Sequence, residues 1–196
     1  MKAKVGLFFG TFNPIHLGHL VLAEYMLNYT DLDELLFVVT PHNPFKQKST
    51  LLPDRTRLHL VNLAIDGEVK MRASDIEFDL PQPNFTAQTL VYLREKYPTT
   101  TFSIIMGEDN LRTFHKWRNY ESILANHPIL VYPRIGELPE DQNDILEKYP
   151  QATLVDAPRM EISASLIRQS FKDGKPLKNL LPKAVFDYIE GSNLFQ

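Results

Sequence analysis

The sequence predicts an α/β protein built on an open, doubly wound parallel sheet with helices on both faces. Short apolar runs such as Val5–Phe9 and Leu35–Val39 do not alternate with polar residues, which is typical of parallel strands buried on both faces. Segments with helical periodicity, such as Leu20–Leu27, lie between these runs, and this order predicts βαβ units with right-handed crossovers. Because no internal repeat or linker is evident, residues 1–196 are expected to form a single domain.

The individual elements follow from composition and capping residues. Six runs rich in β-branched and aromatic residues are predicted as strands: Val5–Phe9, Leu35–Val39, Val69–Arg72, Thr101–Met106, Ile129–Tyr132 and Ala152–Val155. Periodicity and capping residues predict helices at Leu20–Leu27, from Arg55 with Asp54 as its cap, at Phe85–Leu93, from the serines of Ile162–Arg168, and within Leu181–Ile189. The acidic and polar stretch 137–150 is expected to form an exposed helix or loop.

Composition and charge exclude several classes of protein. Hydrophobic residues make up 43% of the chain and charged residues 23%, as in ordinary globular proteins. A net charge of −3 argues against a general nucleic-acid binder, which needs a basic face. The chain has no cysteine, so disulfides and thiolate chemistry are excluded. With no signal peptide and no apolar run of membrane-spanning length, we expect a cytoplasmic protein without a membrane partner; a homo-oligomer is left open.

The segment from Gly10 to His19 joins the first strand to the first helix. Such a junction directs backbone N–H groups and the positive end of a helix dipole at the space above the strand, which favours phosphate. Gly10 permits close approach of the backbone, and His16 and His19 are three residues apart on one face of the first turn. These histidines could be capping residues, metal ligands or hydrogen-bond donors to a phosphate. The conjunction of the loop, the strand and the helix start favours the third role.

Other polar residues follow predicted strands or begin predicted helices. Lys46, in the Pro-bounded loop 41–50, either lies in a solvated connector or reaches a triphosphate. Asp109, after the strand that ends near Met106, either caps a helix or accepts hydrogen bonds from ribose. Ser163, Ser165 and Arg168 form either a capped helix start or an anion site. Thr86 and Thr89 are either capping hydroxyls or site residues, and Trp117 is either a core residue or a stacking platform.

The segment Gly10–His19 resembles the GT/SFxPxHxGH signature of the nucleotidylyltransferase superfamily. Asn84–Leu90, Ile105–Asp109, Trp117 and Ile162–Arg168 occur in the same order as in bacterial nicotinate-nucleotide adenylyltransferases, and the similarity runs nearly end to end. Three features differ from that family's usual pattern, namely Phe9, Arg118 and the loop 133–136.

The resemblance implies a Rossmann-like sheet with a small C-terminal helical piece. It also implies transfer of the adenylyl group of ATP to nicotinate mononucleotide, giving deamido-NAD and pyrophosphate, in NAD biosynthesis. Direct in-line attack is expected, because no Ser, Cys or Lys stands beside a base in the motif as an activated nucleophile would. Magnesium is expected to ride mainly on the ATP phosphates, since no carboxylate cage is evident and no protein metal ligand is predicted.

Site residues are carried over from the resemblance position by position. The catalytic residues are expected to be His16, His19, Lys46 and Arg168. ATP is expected to contact Gly10, Thr11, Phe12, His16, Gly18, His19, Gly107, Asp109, Ile162, Ser163, Ser165 and Arg168. The acceptor is expected to contact Asn13, Lys46, Thr86, Thr89, Trp117, Arg118 and Arg134.

Two other functions stay open from the sequence, and a third is disfavoured. A nucleotidylyltransferase that uses phosphopantetheine would keep both histidines but should lack the Thr86 and Trp117 segments. A noncatalytic nucleotide-binding regulator would need an extra interaction domain or damaged histidines. A class I aminoacyl-tRNA synthetase also has a HIGH-like turn, but this chain has no room for an anticodon domain.

Overall fold

The computed structural model describes residues 2–42, 51–134 and 146–195. Within these ranges the strands form one parallel sheet of six, in the order β3-β2-β1-β4-β5-β6. The strands are β1 Ala3–Gly10, β2 Glu34–Val39, β3 Met71–Ser74, β4 Thr100–Gly107, β5 Ile129–Tyr132 and β6 Ala152–Leu154. The predicted fold class, an open and doubly wound parallel sheet, is confirmed.

Helices cover both faces of this sheet. Their bounds are α1 Leu17–Tyr29, α2 Asp54–Ala64, α3 Thr86–Lys96, α4 Glu108–Arg112, α5 Tyr120–Asn126, α6 Ala164–Lys172 and α7 Lys183–Gly191. The apolar residues of α1, α2, α6 and α7 belong to one core cluster, and those of α3, α4 and α5 belong to another. The last two helices form the C-terminal helical piece and pack on the same face as α1.

Side chains of the strands alternate between the two cores. In β1, Leu7 packs in the cluster with α3, whereas Phe8 packs in the cluster with α1. In β4, Ile104 and Ile105 divide in the same way. Both clusters are apolar, so a strand between them needs apolar residues at every position. The continuous apolar runs in the sequence have this cause.

The strand order reverses between β1 and β4. From β1 the chain builds outward through β2 to β3, then crosses back to place β4 on the other side of β1. In open parallel sheets the loops at the carboxyl ends of two such strands separate and leave a crevice. The loop 11–16 after β1 and the segment from Glu108 after β4 therefore border the same crevice.

Some element boundaries differ from the predictions. Strand β3 begins at Met71, two residues later than predicted, and Val69 is 86% exposed. Asp54 is the first residue of α2 and not its cap; Pro53 holds the cap position, and the Asp54 carboxylate binds Arg57. Most of the stretch 137–150 lies outside the described residues, and the single domain stays a prediction. In the described part of the chain no helix is long and apolar enough to cross a membrane.

Candidate active site

A cavity of about 790 Å³ lies at the carboxyl edge of the sheet, where β1 and β4 diverge. Its walls come from the loops after β1, β2, β4 and β5 and from the start of α3. Of the residues predicted for the site, those lining the cavity are Gly10, Thr11, Phe12, Asn13, His16, His19, Thr86, Asp109, Trp117, Arg118 and Arg134. The cavity thus joins most of the predicted ATP and acceptor residues.

Gly10 makes room for the ring of Phe12. Phe12 has a φ of 44° and is buried, and its ring folds back over the end of β1. A Cβ atom at residue 10 would lie 2.8 Å from Cζ of that ring. The ring also makes an edge contact with the ring of His19, with centroids 5.1 Å apart. Gly10 therefore supports the position of His19 through Phe12, in addition to the predicted approach of backbone to ligand.

The two motif histidines begin helix α1 as a stacked pair. His16 is the N-cap residue, and its ring centroid lies 3.7 Å from that of His19, with an interplanar angle of 26°. The backbone N–H of His16 donates to Nδ1 of His19 over 3.3 Å. Because Nδ1 accepts this bond, the proton of the neutral ring is carried by Nε2, which is a donor. The predicted arrangement of both rings on one face of the first turn is confirmed.

His16 is held in its neutral form. Burial, with a smaller contribution from the positive charge of Arg134, lowers the pKa of His16 to about 4. Its Nδ1 is buried and has no hydrogen-bond partner among the described residues. Gly18 packs under this ring, since a Cβ there would lie 3.1 Å from Nδ1 of His16 and 3.4 Å from Cβ of Ile162. Gly18 and Ile162 thus support the histidine pair from behind the cavity wall.

Asp109 and Arg134 form an ion pair on the far side of the crevice. Arg134 Nε lies 3.4 Å from Oδ1 of Asp109, and Arg134 Nη2 is 3.4 Å from the hydroxyl of Tyr132. Gly107 makes the pair possible, because a Cβ there would clash with the Asp109 carboxylate and lie 3.0 Å from Arg134 Nε. Burial raises the pKa of Tyr132. Asp109 is exposed and lies in the first turn of α4, so its carboxylate is accessible from the cavity.

Trp117, Arg118, Phe85 and Thr86 form another part of the cavity lining. Trp117 is half-buried and makes an edge contact with Phe114, with ring centroids 5.3 Å apart. The guanidinium of the exposed Arg118 lies 5.0 Å from the centroid of the Phe85 ring. Phe85 is the N-cap residue of α3 and Thr86 is its first residue, so the first-turn N–H groups of α3 lie at this part of the lining. A flat ring, a hydroxyl and backbone donors are combined here.

Thr89 does not line this cavity. It is completely buried, and its hydroxyl donates a 2.6 Å hydrogen bond to Oε1 of Glu77, a wall residue that is 1% exposed. Burial raises the pKa of Glu77, although hydrogen bonds from the hydroxyls of Thr89 and Thr40 oppose this shift. The sequence interpretation missed Glu77. The sequence feature that could have indicated a buried acid was the position of Glu77 between the apolar residues Ile76 and Phe78.

Arg57 was also missed. Its guanidinium is completely buried and donates to the carbonyl oxygens of Thr11, Thr40, Pro41 and Leu52 and to Oδ1 of Asp54. These acceptors lie in the loop after β1, at the end of β2 and just before α2, so one side chain holds three segments at the ligand edge. The available signal was its spacing, because Arg57 is three residues before Leu60 and four before Val61 on the buried face of α2.

The start of α6 reaches the motif loop from the C-terminal part of the chain. Ser163 caps this helix by accepting the N–H of Leu166 over 3.2 Å, as predicted. Arg168 donates to the carbonyl of Asn13 over 2.9 Å and to Oγ of Ser165 over 3.1 Å. The Asn13 side chain in turn accepts the N–H of Leu52 over 3.1 Å. These contacts bring the serines and Arg168 beside the loop that carries His16.

Several predicted residues lie beside the cavity and not on its lining, namely Gly18, Gly107, Ile162, Ser163, Ser165 and Arg168. Lys46 lies outside the described residues. Within the described ranges, no group of three or more His, Asp or Glu residues could hold a metal ion. The roles assigned to individual residues stay predictions.

Comparisons with known proteins agree on one family. Residues 7–170 match the family model described as Cytidylyltransferase-like. The chain is 55% identical, over 98% of its length and 99% of the relative's, to a protein of Flavobacterium johnsoniae named a probable nicotinate-nucleotide adenylyltransferase. A protein of the same name from Christiangramia forsetii is 52% identical over the full length of both chains.

Two solved structures share the fold at low sequence identity. Both are nicotinic acid mononucleotide adenylyltransferase from Plasmodium falciparum, one complexed with NaAD and one with APC. The first has a TM-score of 0.82 at 20% identity and covers 98% of this chain and 97% of that one. The second has a TM-score of 0.81 at 22% identity and covers 100% and 98%. The likeness extends over the whole sheet and its helices.

Proposed function

This chain belongs to the nicotinate-nucleotide adenylyltransferase family, and we propose that it transfers the adenylyl group of ATP to nicotinate mononucleotide. The products are deamido-NAD (nicotinate adenine dinucleotide) and pyrophosphate. The observation that carries the proposal is one cavity lined both by the stacked His16 and His19, at the start of α1, and by Trp117 and Thr86. In the proposal the two histidines mark the triphosphate end of the cavity, and Trp117 and Thr86 mark the acceptor end.

The triphosphate of ATP binds at the start of α1. The first-turn N–H groups of a helix and the positive end of its dipole attract phosphate oxygens. His19 adds the donor on Nε2, and Arg168, held against Asn13 and Ser165, adds a positive charge beside the same loop. His16 and His19 act at the α-phosphate, while Arg168, Ser163, Ser165 and Lys46 hold the β- and γ-phosphates. The ribose hydroxyls of the adenosine donate to Asp109.

The nicotinate ring binds at the Trp117 end. A flat, half-buried indole offers a stacking surface, and the positive charge of the pyridinium ring adds a cation–π attraction. The substrate carboxylate accepts hydrogen bonds from the Thr86 hydroxyl and from backbone N–H groups at the start of α3 and near Arg118. Charge-assisted bonds of this kind are stronger than neutral ones. Arg134 and Asn13 complete the acceptor side between the two ends.

The reaction is a direct displacement at phosphorus. A phosphate oxygen of nicotinate mononucleotide forms the new bond to the α-phosphorus, and the bond from that phosphorus to the bridging oxygen of pyrophosphate breaks. No protein nucleophile is needed, so catalysis consists of positioning and of stabilising the charge that builds on the phosphate oxygens. The neutral His16 and the Nε2 proton of His19 supply polar stabilisation at that centre.

Magnesium fits this site only as an ion coordinated by the phosphates of ATP. Asp109, an exposed carboxylate of the cavity lining, is paired with Arg134, and the described residues contain no group of three or more His, Asp or Glu that could hold a metal ion. The ATP oxygens would therefore supply most of its ligands, and the ion would neutralise phosphate charge. Binding and orientation of the reacting groups are left to His16, His19, Arg168 and the wall residues.

The test is an assay with ATP, magnesium and a panel of acceptors. Nicotinate mononucleotide, nicotinamide mononucleotide and phosphopantetheine are each incubated with the purified protein. Pyrophosphate release is measured together with the dinucleotide formed. We expect deamido-NAD from nicotinate mononucleotide at the highest kcat/KM. A preference for phosphopantetheine, or an adenylylated protein that passes AMP to the acceptor, would overturn the proposal.

A further inference from the structure

A carboxylic acid is buried in the wall of the cavity that also contains Thr86. Glu77 is 1% exposed, and its Oε1 accepts the Thr89 hydroxyl over 2.6 Å. Its Oε2 is also buried and has no hydrogen-bond partner among the described residues. Its backbone carbonyl accepts the side-chain amide of Asn84 over 3.0 Å. Glu77 is therefore bonded to a residue on either side of Thr86 in the chain, to Thr89 through its carboxyl group and to Asn84 through its backbone carbonyl, and the Thr40 hydroxyl also bonds its carboxyl group.

Asn84 continues this connection to the neighbouring strand. Its side-chain oxygen accepts the N–H of His42 over 3.3 Å, and its own N–H donates to the carbonyl of His42 over 3.1 Å. His42 follows β2, so the start of α3 is tied to the carboxyl edge of the sheet. Two residues after Asn84, Thr86 faces the cavity. The orientation of the Thr86 hydroxyl thus depends on bonds made by Glu77 and Asn84.

A carboxylic acid is a costly residue for this position. Burial raises the pKa of Glu77, so its ionised form is disfavoured in the fold. The buried Thr89 hydroxyl needs an acceptor in this place, because an apolar residue at position 77 would remove its 2.6 Å hydrogen bond. Buried acids of this kind concentrate in functional sites. The location of Glu77 in the cavity wall is consistent with such a role.

We propose that Glu77 is a positioning residue for the acceptor end of the cavity, where it fixes the start of α3 so that Thr86 meets the carboxylate of the pyridine mononucleotide. The Glu77 carboxyl group acts through Thr89, whereas the bond from Asn84 goes to the Glu77 backbone carbonyl and is kept in every side-chain variant. The inference rests on the proposed function, because that function identifies the acceptor. The bonds of Glu77 go to Thr89, Asn84 and Thr40, and none of these residues lies in α1 or α6, which build the triphosphate end.

This separation gives a readout that a general loss of stability would not produce. If the start of α3 is less well fixed, the hydrogen bonds to the nicotinate carboxylate become weaker, while the contacts with ATP are kept. In the Glu77→Leu protein, the KM for nicotinate mononucleotide should rise about tenfold, the equivalent of one charge-assisted hydrogen bond. The KM for ATP should stay within about twofold of the wild-type value. A merely destabilised protein would change both constants or neither.

Two further variants and a control sharpen the test. Glu77→Gln keeps an oxygen that accepts from Thr89, so its KM for the mononucleotide should stay within about threefold of wild type. Thr89→Val removes the donor but keeps the shape, and should raise the same KM in the same direction as Glu77→Leu. Asp79→Asn changes an exposed acid two residues away and should have no effect. Circular dichroism and thermal unfolding are recorded for each variant.

The outcomes are distinct. If the folded Glu77→Leu protein keeps the wild-type KM for the mononucleotide, or changes both KM values alike, the proposal is overturned. If Glu77→Leu does not fold, the Thr89→Val protein decides in the same way. An unmodified protein that makes no dinucleotide from nicotinate mononucleotide overturns the proposed function, and this inference with it. An active unmodified protein with unaffected variants overturns the inference alone.

Discussion

The backbone N–H of His16 donates to Nδ1 of His19 over 3.3 Å, and the two rings stack with centroids 3.7 Å apart. The bond orients the second ring and fixes its tautomer, so that Nε2 is the donor. The Phe12 ring supports it from another side, 5.1 Å away between centroids. The start of α1 therefore presents a prepared hydrogen-bond donor, whose orientation needs no rearrangement during the reaction.

Replacing His19 by Ala should lower kcat by about 10²–10³, the usual loss when one well-placed transition-state donor is removed. The measurement is steady-state turnover of ATP and nicotinate mononucleotide. His115→Ala is the matched control, because His115 is exposed, lies in the 3-10 helix Phe114–Lys116 and does not line the cavity. Near-wild-type turnover by a folded His19→Ala protein would show that the ring has no catalytic role.

The low pKa of His16 predicts how stability depends on pH. Its pKa is about 4 in the folded protein, while the ordinary value is 6.5. Between these values the unfolded chain binds more protons than the folded one, so stability rises with pH over this window and is lost as the pH falls through it. The difference corresponds to at most about 3 kcal/mol.

Replacing His16 by Gln should remove this contribution. Urea unfolding of both proteins at pH 4.5 and pH 7.5 measures it, because other titrating groups are common to both. We expect the wild type to lose about 2–3 kcal/mol more than the variant on acidification. Equal losses in the two proteins would mean that His16 is not held neutral by burial.

The strands and the motif junction could be predicted from local pattern alone. Continuous apolar runs report burial on both faces, and the cap formed by Ser163 was one of the two roles that the sequence left open, because capping is a local interaction. The position of β3 was missed by two residues, since Val69 is β-branched and locally favours a strand although it is 86% exposed. The parallel pairing of Leu35 with Met71 decides the position of that strand, and pairing depends on distant residues.

The polar residues behind the cavity wall could not be predicted. Arg57 looks like any helical arginine, and its five acceptors come together only when the ends of β1 and β2 meet α2. Glu77 acquires its role from Thr89, twelve residues later in the chain. The ring of Phe12 occupies the Cβ space of Gly10, a contact that requires the positive φ of Phe12. Each of these features depends on tertiary geometry.

Removing the Arg57 side chain should lower the free energy of unfolding more than removing any other side chain at the ligand edge. Arg57→Met leaves up to four backbone carbonyls and the Asp54 carboxylate without their donor. We expect a loss of about 3–5 kcal/mol in the free energy of unfolding, as when one partner of a buried pair is removed. Urea unfolding measures it.

The control for this prediction is Arg55→Met in the same turn of α2. Arg55 is 77% exposed in its side chain and pairs with Asp75 over 3.7 Å. Exposed ion pairs of this kind contribute less than about 1 kcal/mol. Similar losses of stability in the Arg55 and Arg57 variants would contradict the conclusion that the hydrogen bonds of Arg57 hold three segments together at the ligand edge.

Selectivity for nicotinate over nicotinamide mononucleotide should depend on Thr86. Stacking on Trp117 cannot separate the two substrates, because their rings are nearly the same. A carboxylate only accepts hydrogen bonds, whereas a carboxamide also carries two N–H donors. The Thr86 hydroxyl and the N–H groups at the start of α3 are hydrogen-bond donors. A carboxamide placed against them would lose the charge-assisted bond that the carboxylate accepts, and its own N–H groups would face protein donors.

This difference predicts a preference for the acid of about ten- to a hundredfold in kcat/KM, or about 1.5–3 kcal/mol. Thr86→Val keeps the shape of the side chain but removes its hydroxyl, so the preference should fall by about tenfold while the KM for ATP is unchanged. Arg118→Met tests the alternative that charge alone selects the acid. Its guanidinium lies over the Phe85 ring, 5.0 Å from the centroid, so we expect a smaller effect than for Thr86→Val. Equal kcat/KM for both mononucleotides in the wild type would contradict acid selectivity and indicate an enzyme that accepts either substrate.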